Sequence, residues 1–594
     1  MKQRVTDIVA SFLVEQGIKD IFTLTGGGAM FLNDGIASND DINAICNHHE
    51  QACAMGAVAY AKYKNGLAAA MFSTGCGSTN AITGLLDAWQ DNTPVIFISG
   101  QIKRKETSRN SQTSLRQFGV QEADIVSIVE PLTKYAVMVN EPEDILYHLE
   151  KAVHLALTGR PGPVWIDIPL DIQGFSIDTN ELKHFIPKIE TNQEIKGIER
   201  FVEMYEQAER PIILAGNGVR LSGSVDKLRE FASKNNIPCA VSYLAVDYFE
   251  QDNPNYVGRL GIKGDRAGNF ALQNSDLIIS LGSRLSVCLT GFEYELFARE
   301  SKLIVVDIDE DEHKKNTVNI DQLICSDVGD FLENIENKIT PKTSKDWPNK
   351  CIHWKNKWPV YQEGYDTDTV NMYEFTKALS ELASEDSIVV SDAGSSYYVT
   401  SQSFTLNNKK QRYITSGAQA DMGFTLPAAI GACIAANKPV IGITGDGSFQ
   451  LNIQELQTIK HYNLPVKLIV WNNNGYSSIR ATQNKFFDGR RIGTDSKSGV
   501  SFPEVGKIAS AYELPYVKIN NVAELREKIA DVIAASGPVI CEVMCPENQE
   551  IIPAVSAVKN KDGSMTSKPM EDMYPFLDRG EFFSDMIVSP LIED

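Results

Sequence analysis

The sequence predicts an α/β protein with three doubly wound parallel-sheet domains and a C-terminal tail. Short apolar, β-branched runs alternate with helical patterns along most of the 594 residues, as they do in parallel α/β sheets. Two polar, charged stretches, near residues 176–199 and 342–364, interrupt this alternation and are typical of linkers. We therefore expect domains at residues 1–175, 197–340 and 368–545, and a tail at 546–594.

Each expected domain is justified by its own set of strand-like runs. The runs are 21–24, 68–72, 95–98 and 164–168 in the first domain, 211–215, 276–282 and 303–309 in the second, and 387–392, 440–447, 466–471 and 539–543 in the third. Most of them end near Gly, Ser, Thr, Pro or an acidic residue. Since ligands of doubly wound sheets bind at the carboxyl ends of strands, those end residues are candidates for binding.

The first and third domains share a faint repeat. Gly77-Ser78 and Gly447-Ser448 are each followed by a helical pattern, an Asn-x-Pro-Val turn and a strand-like run. Two explanations stay open from the pattern alone. The two domains have the same fold, or the likeness is the ordinary similarity of any two βαβ units.

Composition excludes several classes of protein. The 56 basic and 77 acidic residues give a net charge of −21, which disfavours general nucleic-acid binding. The chain has no apolar run near the ~18 residues of a membrane helix, nor a signal-peptide pattern. Its ten cysteines form no CxxC pair, and the histidines lack zinc-ligand spacing. We expect a cytoplasmic protein without disulfides.

The most informative pattern follows two strands of the third domain. Gly445 and Gly447 flank Asp446 and permit a tight turn close to a ligand. Asp446, Asn473 and the Gly475 carbonyl supply hard oxygen donors at two strand ends. Such a donor set suits Mg²⁺, which also binds phosphate oxygens. The helix after Gly447 directs its N-terminus toward the same place, which favours a diphosphate.

A Gly-Asp-Gly tripeptide alone is also found in simple strand-to-helix turns. An Asn pair that reaches Asn473, 27 residues after Asp446, makes the pattern far more specific. The combined pattern resembles the diphosphate motif of thiamine-diphosphate-dependent enzymes. The resemblance implies that Ser448 and Tyr476 also contact the cofactor.

A second segment lies near the other end of the chain. His48-His49-Glu50 follows a strand-like run and begins a helix of small residues. A lone Glu here is also favoured simply as a solvated residue at a helix N-terminus. In the thiamine-diphosphate enzymes a Glu at this place hydrogen-bonds the pyrimidine ring and promotes loss of the C2 proton. The resemblance therefore implies that Glu50 is the catalytic acid–base residue.

The resemblance covers roughly residues 1–545 and extends to acetolactate synthase large subunits and related carboligases. It implies that the first domain binds the pyrimidine and that the third binds the diphosphate with Mg²⁺. The further cofactor contacts that it implies are Gly26, Gly27, Thr74, Asn80, Gln121 and Met422. A buried methionine is more often plain core, so the role of Met422 in supporting the bent cofactor rests on the resemblance.

The middle domain resembles the FAD holder of acetolactate synthases. Gly216-Asn217-Gly218 follows a buried strand but lacks the third glycine of a dinucleotide fingerprint, so a plain turn explains it equally well. Further segments strengthen the resemblance and imply FAD in a structural, non-redox role. The FAD contacts expected from them are Gly216, Gly218, Gly264, Arg284, Asp307 and Asp327.

Two departures from acetolactate synthases concern the acceptor. Cys288 and Thr482 stand where the family has a carboxylate-binding Arg and a pocket-shaping Trp. Losing such a charged partner typically costs ~2–5 kcal/mol of binding, unless Arg480 or Lys263 replaces it. An inserted basic segment, residues 103–116, is either a solvated loop or a grip for a diphosphate. The tail is long enough to form a lid that excludes water.

We therefore predict a carboligase that transfers a hydroxyethyl (acetyl) unit from pyruvate to a ketone, such as a nucleotide-linked keto-sugar of branched-chain (yersiniose-type) sugar synthesis. Alternatives are acetolactate synthase itself, a decarboxylase or hydrolase of another 2-oxo compound, and an FAD-binding redox or sensing protein. The intact Glu50, Asp446 and Asn473 argue against the last. The resemblance also implies a homodimer or homotetramer with active sites at the subunit interface.

Overall fold

The computed structural model describes residues 2–188, 194–559 and 565–591. Within them lie three six-stranded sheets, in which every neighbouring pair of strands is parallel. Helices flank each sheet, so the predicted α/β class with three doubly wound sheets is confirmed. Among the described residues, no helix is both long and apolar enough to cross a lipid bilayer.

The first sheet belongs to the N-terminal part of the chain. The strands of this part of the chain are β1 Lys2–Arg4, β2 Asp20–Thr23, β3 Asn43–Cys46, β4 Ala68–Phe72, β5 Val95–Gln101, β6 Tyr135–Met138, β7 Val164–Pro169 and β8 Ser176–Asp178, of which β2 to β7 form the sheet. Its helices are α1 Val5–Glu15, α2 Met30–Ala37, α3 Glu50–Lys64, α4 Cys76–Thr79, α5 Ile82–Gln90, α6 Ile125–Val129, α7 Ile145–Leu157 and α8 Leu170–Gln173. The sheet order is β3-β2-β4-β5-β7-β6, and β1 pairs separately with β8 in an antiparallel ribbon that the sequence did not predict.

The middle sheet has the strand order of dinucleotide-binding domains. Its strands are β9 Pro211–Ala215, β10 Cys239–Val241, β11 Tyr256–Arg259, β12 Leu277–Leu281, β13 Lys302–Asp307 and β14 Gln322–Cys325. Its helices are α9 Ile198–Gln207, α10 Gly218–Leu221, α11 Val225–Asn235, α12 Arg266–Gln273, α13 Val287–Thr290, α14 Val328–Ile335 and α15 Asp346–Lys357. The order β11-β10-β9-β12-β13-β14 reverses direction between β9 and β12, and such a switch point opens a crevice for a ligand.

The third sheet repeats the topology of the first. Its strands are β15 Ile388–Ser391, β16 Arg412–Thr415, β17 Val440–Gly445, β18 Val466–Asn472, β19 Tyr516–Ile519 and β20 Val539–Met544. Its helices are α16 Met372–Leu382, α17 Gly394–Ser403, α18 Thr425–Ala436, α19 Glu455–His461, α20 Ser477–Phe486, α21 Val505–Ala511 and α22 Val522–Ala534. The order β16-β15-β17-β18-β20-β19 matches that of the first sheet strand for strand. The faint sequence repeat therefore reflects a shared fold.

Helices α3 and α18 join the first domain to the third. Their buried small residues belong to one hydrophobic cluster that spans both domains. At the crossing, a Cβ atom on Gly431 would lie 2.0 Å from the Gly56 carbonyl oxygen, so only glycine permits this approach of the two backbones. The packing holds the N-terminus of α3, and with it Glu50, beside the third domain.

The C-terminal tail packs on the middle domain. It contains β21 Ala557–Lys559, β22 Met565–Ser567 and α23 Arg579–Asp585. Buried Glu571 pairs with Arg299 at 2.6 Å, and Asp585 pairs with Lys350 at 3.1 Å on α15. These ion pairs fix the described part of the tail against the middle domain. Residues 560–564 and 592–594 of the predicted tail lie outside the described residues.

Candidate active site and cofactor cavity

The third sheet presents its motif at the carboxyl ends of neighbouring strands. Strand β17 ends at Gly445, and Asp446, which follows, is a residue only 4% exposed. Its Oδ1 accepts a hydrogen bond from the Gly447 N–H (2.8 Å), and its Oδ2 accepts one from the Gly475 N–H (2.9 Å). Burial nevertheless raises the pKa of Asp446 to about 6, because the charged form lies away from water. A cation beside the carboxylate would offset that cost.

Asn473 lies one residue beyond the end of β18, at the same edge of the sheet as Asp446. Its Oδ1 atom is buried and has no hydrogen-bond donor among the described residues. Orphaned buried acceptors are rare and commonly mark an ion or water site. Asp446, Asn473 and the backbone at Gly475 therefore form a set of oxygen atoms that fits a hard cation such as Mg²⁺.

Arg480 stabilises the loop that carries Asn473 and Gly475, a role that the sequence did not predict. The buried guanidinium donates to the carbonyls of Asn473 (2.8 Å), Asn474 (2.9 Å) and Glu547 (2.5 Å). A Cβ atom on Gly475 would lie 2.1 Å from the Thr494 carbonyl oxygen, so glycine is required there. Because Arg480 is bound to backbone carbonyls, it does not replace the missing acceptor-binding Arg.

A second helix N-terminus faces the motif, and sequence reasoning missed it. Asp392 follows β15, is fully buried, and accepts hydrogen bonds from Thr444 Oγ1 (2.8 Å) and Ser448 Oγ (2.5 Å). Helix α17 begins two residues later, and its Ser395 hydroxyl lies 3.1 Å from that of Ser477 on α20. The N-termini of α17 and α20 thus lie side by side, an arrangement that attracts phosphate oxygens. The signal was available, since Asp392 ends a predicted strand.

Two other residues predicted to contact the cofactor, Tyr476 and Ser448, also make contacts within the motif itself. Tyr476 lies against Gly447, where an added Cβ would be 2.2 Å from the tyrosine ring. The Ser448 hydroxyl, besides donating to Asp392, accepts from the Gly423 N–H (2.7 Å). Met422, the residue before Gly423, is therefore tied to the diphosphate motif through the backbone.

Glu50 is the first residue of α3. The preceding His49 caps the helix, because its Nδ1 accepts from the Gln51 N–H (3.0 Å). Asn80 Nδ2 donates to Glu50 Oε2 (3.0 Å), so these two predicted site residues are in contact. On the third domain, buried Glu455 accepts from the His48 N–H (3.0 Å) and so braces the loop that leads to Glu50.

The remaining predicted pyrimidine-domain residues gather at the carboxyl edge of the first sheet. A Cβ on Gly26 would lie 2.4 Å from Ser73, and one on Gly75 would lie 2.0 Å from the Gln121 carbonyl oxygen. Thr74 is the second residue after β4, and its hydroxyl donates to Gln101 Oε1 (2.7 Å). The three loops that follow β2, β4 and β5 are thus in close contact at the switch point of the sheet. Gly27 lies in the same turn, with open space around its Cβ position.

A cavity of about 320 Å³ opens at the switch point of the middle sheet. Gly216 and Gly218 line it, and added Cβ atoms there would lie 2.2 Å and 2.6 Å from Gly282. Arg284, Asp307 and Asp327 line it as well. Five of the six residues predicted to contact FAD therefore surround one cavity. The sixth, Gly264, is outside the cavity lining and packs against the backbone of Arg259.

The residues that bear on the acceptor are arranged as follows. Cys288 is exposed and lines the cavity, whereas the Thr482 hydroxyl donates to the Ser478 carbonyl of its own helix. Lys263 Nζ donates to the Ile551 carbonyl (3.0 Å), and burial together with Lys485 lowers the pKa of Lys263 to about 8.

Two arginines of the basic insert form ion pairs with acidic residues of the same chain. Arg104 binds Asp171 at 2.9 Å, and Arg109 binds Asp124 at 3.0 Å. These guanidinium groups are partly neutralised by acidic neighbours, which weakens the idea that the insert grips a diphosphate.

Comparisons with known proteins agree with this arrangement. Family models for thiamine pyrophosphate enzymes match in three parts, namely the N-terminal TPP binding domain over residues 3–126, the central domain over 198–335 and the C-terminal TPP binding domain over 392–543. The acetolactate synthase large subunit of Lactococcus lactis is 31% identical over 94% of this chain and 95% of its own length. The chloroplastic acetolactate synthase of Arabidopsis thaliana is 29% identical over 92% of this chain and 82% of its own.

Thiamine diphosphate is thus a cofactor of this chain, and the expected Mg²⁺ and FAD agree with the oxygen set at Asp446 and with the cavity at Gly216. The match covers all three sheets and both TPP binding domains. This chain belongs to the thiamine pyrophosphate enzyme family, and it is an acetolactate-synthase-like, thiamine-diphosphate-dependent carboligase.

Proposed function

We propose that this chain decarboxylates pyruvate and joins the remaining two-carbon unit to the carbonyl carbon of an acceptor. The proposal is carried by the buried Asn473 Oδ1, which finds no hydrogen-bond partner in the described part of the chain and lies at the same edge of the sheet as the buried Asp446. Asp446, Asn473 and the Gly475 carbonyl would hold Mg²⁺, and the N-termini of α17 and α20 would face the diphosphate.

Glu50 would hold a proton at the N1′ atom of the pyrimidine ring. Thiamine diphosphate, when bound, supplies a carbon nucleophile that adds to the keto group of pyruvate. Glu50 would promote formation of this nucleophile, because a carboxyl group hydrogen-bonded to N1′ changes the basicity of the pyrimidine amine. Asn80 orients Glu50 through its 3.0 Å hydrogen bond to Oε2.

We infer that a second copy of the chain completes each active site. Within the described part of one chain, no hydrogen bond or ion pair joins Glu50 to Asp446. The loop next to the pyrimidine residues exposes Leu115, Phe118 and Val120, and exposed apolar side chains grouped along one segment are typical of interfaces. We propose a homodimer, or a homotetramer built from such dimers, in which Glu50 of one chain serves the diphosphate site of its partner.

The first candidate for the acceptor is a second molecule of pyruvate. The relatives named above are acetolactate synthases that resemble this chain over nearly its whole length, which supports acetolactate synthesis here. The product would then arise from two molecules of one substrate.

The second candidate is a ketone without a carboxylate, including a nucleotide-linked keto-sugar. It is favoured by Cys288 and Thr482, which offer no guanidinium or indole group, and by the engagement of Arg480 with backbone carbonyls. The pocket would be wider and less positive than one that holds a 2-oxo acid by a bidentate Arg.

One experiment separates these candidates. The enzyme, loaded with thiamine diphosphate, Mg²⁺ and FAD, is given pyruvate alone and then pyruvate with a panel of ketones and nucleotide-linked keto-sugars, and products are identified by mass spectrometry. Rapid acetolactate formation that no ketone diminishes supports the first candidate. A mixed product that suppresses acetolactate supports the second. Acetaldehyde or acetate as the sole product would overturn carboligation altogether.

A further inference from the structure

A buried ionic cluster lies where the first and third domains meet. Lys62, near the end of α3, places Nζ 2.8 Å from Asp91 Oδ2 and 3.2 Å from Asp87 Oδ1. It also donates to the Thr415 carbonyl (3.0 Å). Both carboxylates are essentially inaccessible to solvent. Buried charges persist only when they are paired and hydrogen-bonded, so this cluster holds its neighbours in one fixed arrangement.

Asp91 fixes the start of a short segment of the third domain. Its Oδ2 accepts from the Gly417 N–H (2.7 Å), and its Oδ1 accepts from the Ala418 N–H (2.9 Å). A carboxylate that accepts two successive backbone N–H groups determines the direction of the chain there. We call residues 416–423 the bridging segment.

The other end of the bridging segment is bound to the diphosphate motif. The Gly423 N–H donates to Ser448 Oγ (2.7 Å), and the Gly423 carbonyl accepts from Asn452 Nδ2 (2.9 Å). Met422 lies within this end. The segment thus runs from Asp91 to the residues that follow Asp446.

Asp91 also touches the FAD cavity. Asn217, between the two glycines of the middle domain, donates from Nδ2 to the Asp91 carbonyl at 3.4 Å. Asp91, Asn217, Gly417 and Ala418 all line the cavity. One end of the bridging segment is therefore a wall of the FAD cavity, while the other end supports the thiamine diphosphate site.

We propose that Asp91 is a positioning residue that couples FAD binding to thiamine diphosphate binding within one chain. The inference rests on the proposed placement of FAD in the cavity. Each cofactor orders the same bridging segment, so the second cofactor to bind finds the segment already ordered and loses less conformational freedom. Linkage requires the coupling to be reciprocal, so each cofactor tightens the other by the same factor.

The test measures binding and not turnover. The full chain is stripped of cofactors, and FAD is titrated by flavin fluorescence with and without thiamine diphosphate and Mg²⁺. We expect these to lower the Kd for FAD by about tenfold, a coupling within the usual range. In Asp91→Asn the factor should fall below about twofold, because the amide accepts at only one atom. Asp87→Asn is the matched control. It alters the same cluster but, among the described residues, makes no hydrogen bond to the bridging segment, so it should keep the wild-type coupling factor.

The outcomes are distinguishable. If FAD fails to bind at all, the cavity assignment and the coupling are both overturned. If FAD binds but thiamine diphosphate and Mg²⁺ do not change its Kd in the wild type, the coupling alone is overturned. The same holds if Asp91→Asn keeps the full wild-type change in Kd. An equal loss in Asp91→Asn and Asp87→Asn would show a merely structural cluster and would also refute the positioning role.

A second variant covers the case in which Asp91→Asn does not fold. Asn217→Ala removes the bond between the glycine turn and the Asp91 carbonyl and leaves the buried cluster intact. It should reduce the coupling factor by at least half, and hydrogen exchange of residues 416–423 should then no longer slow when FAD is added. Unchanged protection by FAD in this variant would contradict the proposed route.

Discussion

Binding of a divalent cation should depend on pH through Asp446. Without a cation, burial raises the pKa of this carboxyl to about 6, and a metal binds only the ionised form. The ionised fraction is then ~0.97 at pH 7.5 and ~0.09 at pH 5, so we expect cation affinity to fall about elevenfold over that range. An ordinary exposed Asp, with its pKa near ~3.9, would lose less than about a tenth of its affinity.

The assay uses the cation alone, because the diphosphate of the cofactor titrates in the same range. Mn²⁺, which takes the same hard oxygen ligands as Mg²⁺, is titrated by electron paramagnetic resonance at pH 7.5 and at pH 5. The control, Asp446→Asn, keeps the shape of the side chain but has no proton to lose. It should bind weakly at both pH values. Equal wild-type affinity at the two pH values, or the same pH slope in Asp446→Asn, would refute the reasoning.

Three further predictions follow from the site. Glu50→Gln should keep thiamine diphosphate bound but lose ~10²–10⁴-fold in turnover, and nuclear magnetic resonance should show slow C2 proton exchange; unchanged exchange would contradict the role. Mixing Glu50→Gln with Asp446→Ala chains should restore about a quarter of wild-type activity if sites form between the chains of random dimers, and no recovery after verified subunit exchange would count against that arrangement. Arg480→Met leaves buried carbonyls unpaired, which costs ~1–3 kcal/mol for each carbonyl, and calorimetry should show Mg²⁺-dependent cofactor binding weakened at least tenfold. Arg490 is exposed, so Arg490→Met serves as the control and should bind the cofactor normally.

The sequence predicted the fold class and the motif residues at the strand ends of the third sheet, because both predictions depend on local patterns. Apolar runs and helical periods mark parallel α/β units, and the Asp446–Asn473 spacing marks two strand ends that must lie at one edge of a sheet. The role expected for Glu50 rests on the resemblance to thiamine-diphosphate enzymes, because a Glu at the start of a small-residue helix is by pattern alone equally a solvated residue.

Other residues were out of reach, because their roles depend on groups far away in the chain. Arg480 looked available for an acceptor carboxylate, yet its guanidinium donates to carbonyls of two different loops. Arg104 and Arg109 looked like a basic patch, but acidic residues on other elements pair with them. Charge can be counted along a sequence, whereas its neutralisation depends on distance between side chains.

Taken by itself, the sequence determined the three sheets, and it predicted which strand ends and which oxygen donors would bind the cofactors, since these predictions follow from periodicity and from residue type at strand ends. Only the tertiary structure decided that the first and third sheets share one topology and that Asp91 meets Lys62, Gly417 and the middle domain at one point. The physical reason is that buried polar groups must find partners, and the partners that they find come from segments brought together only by packing of the whole chain.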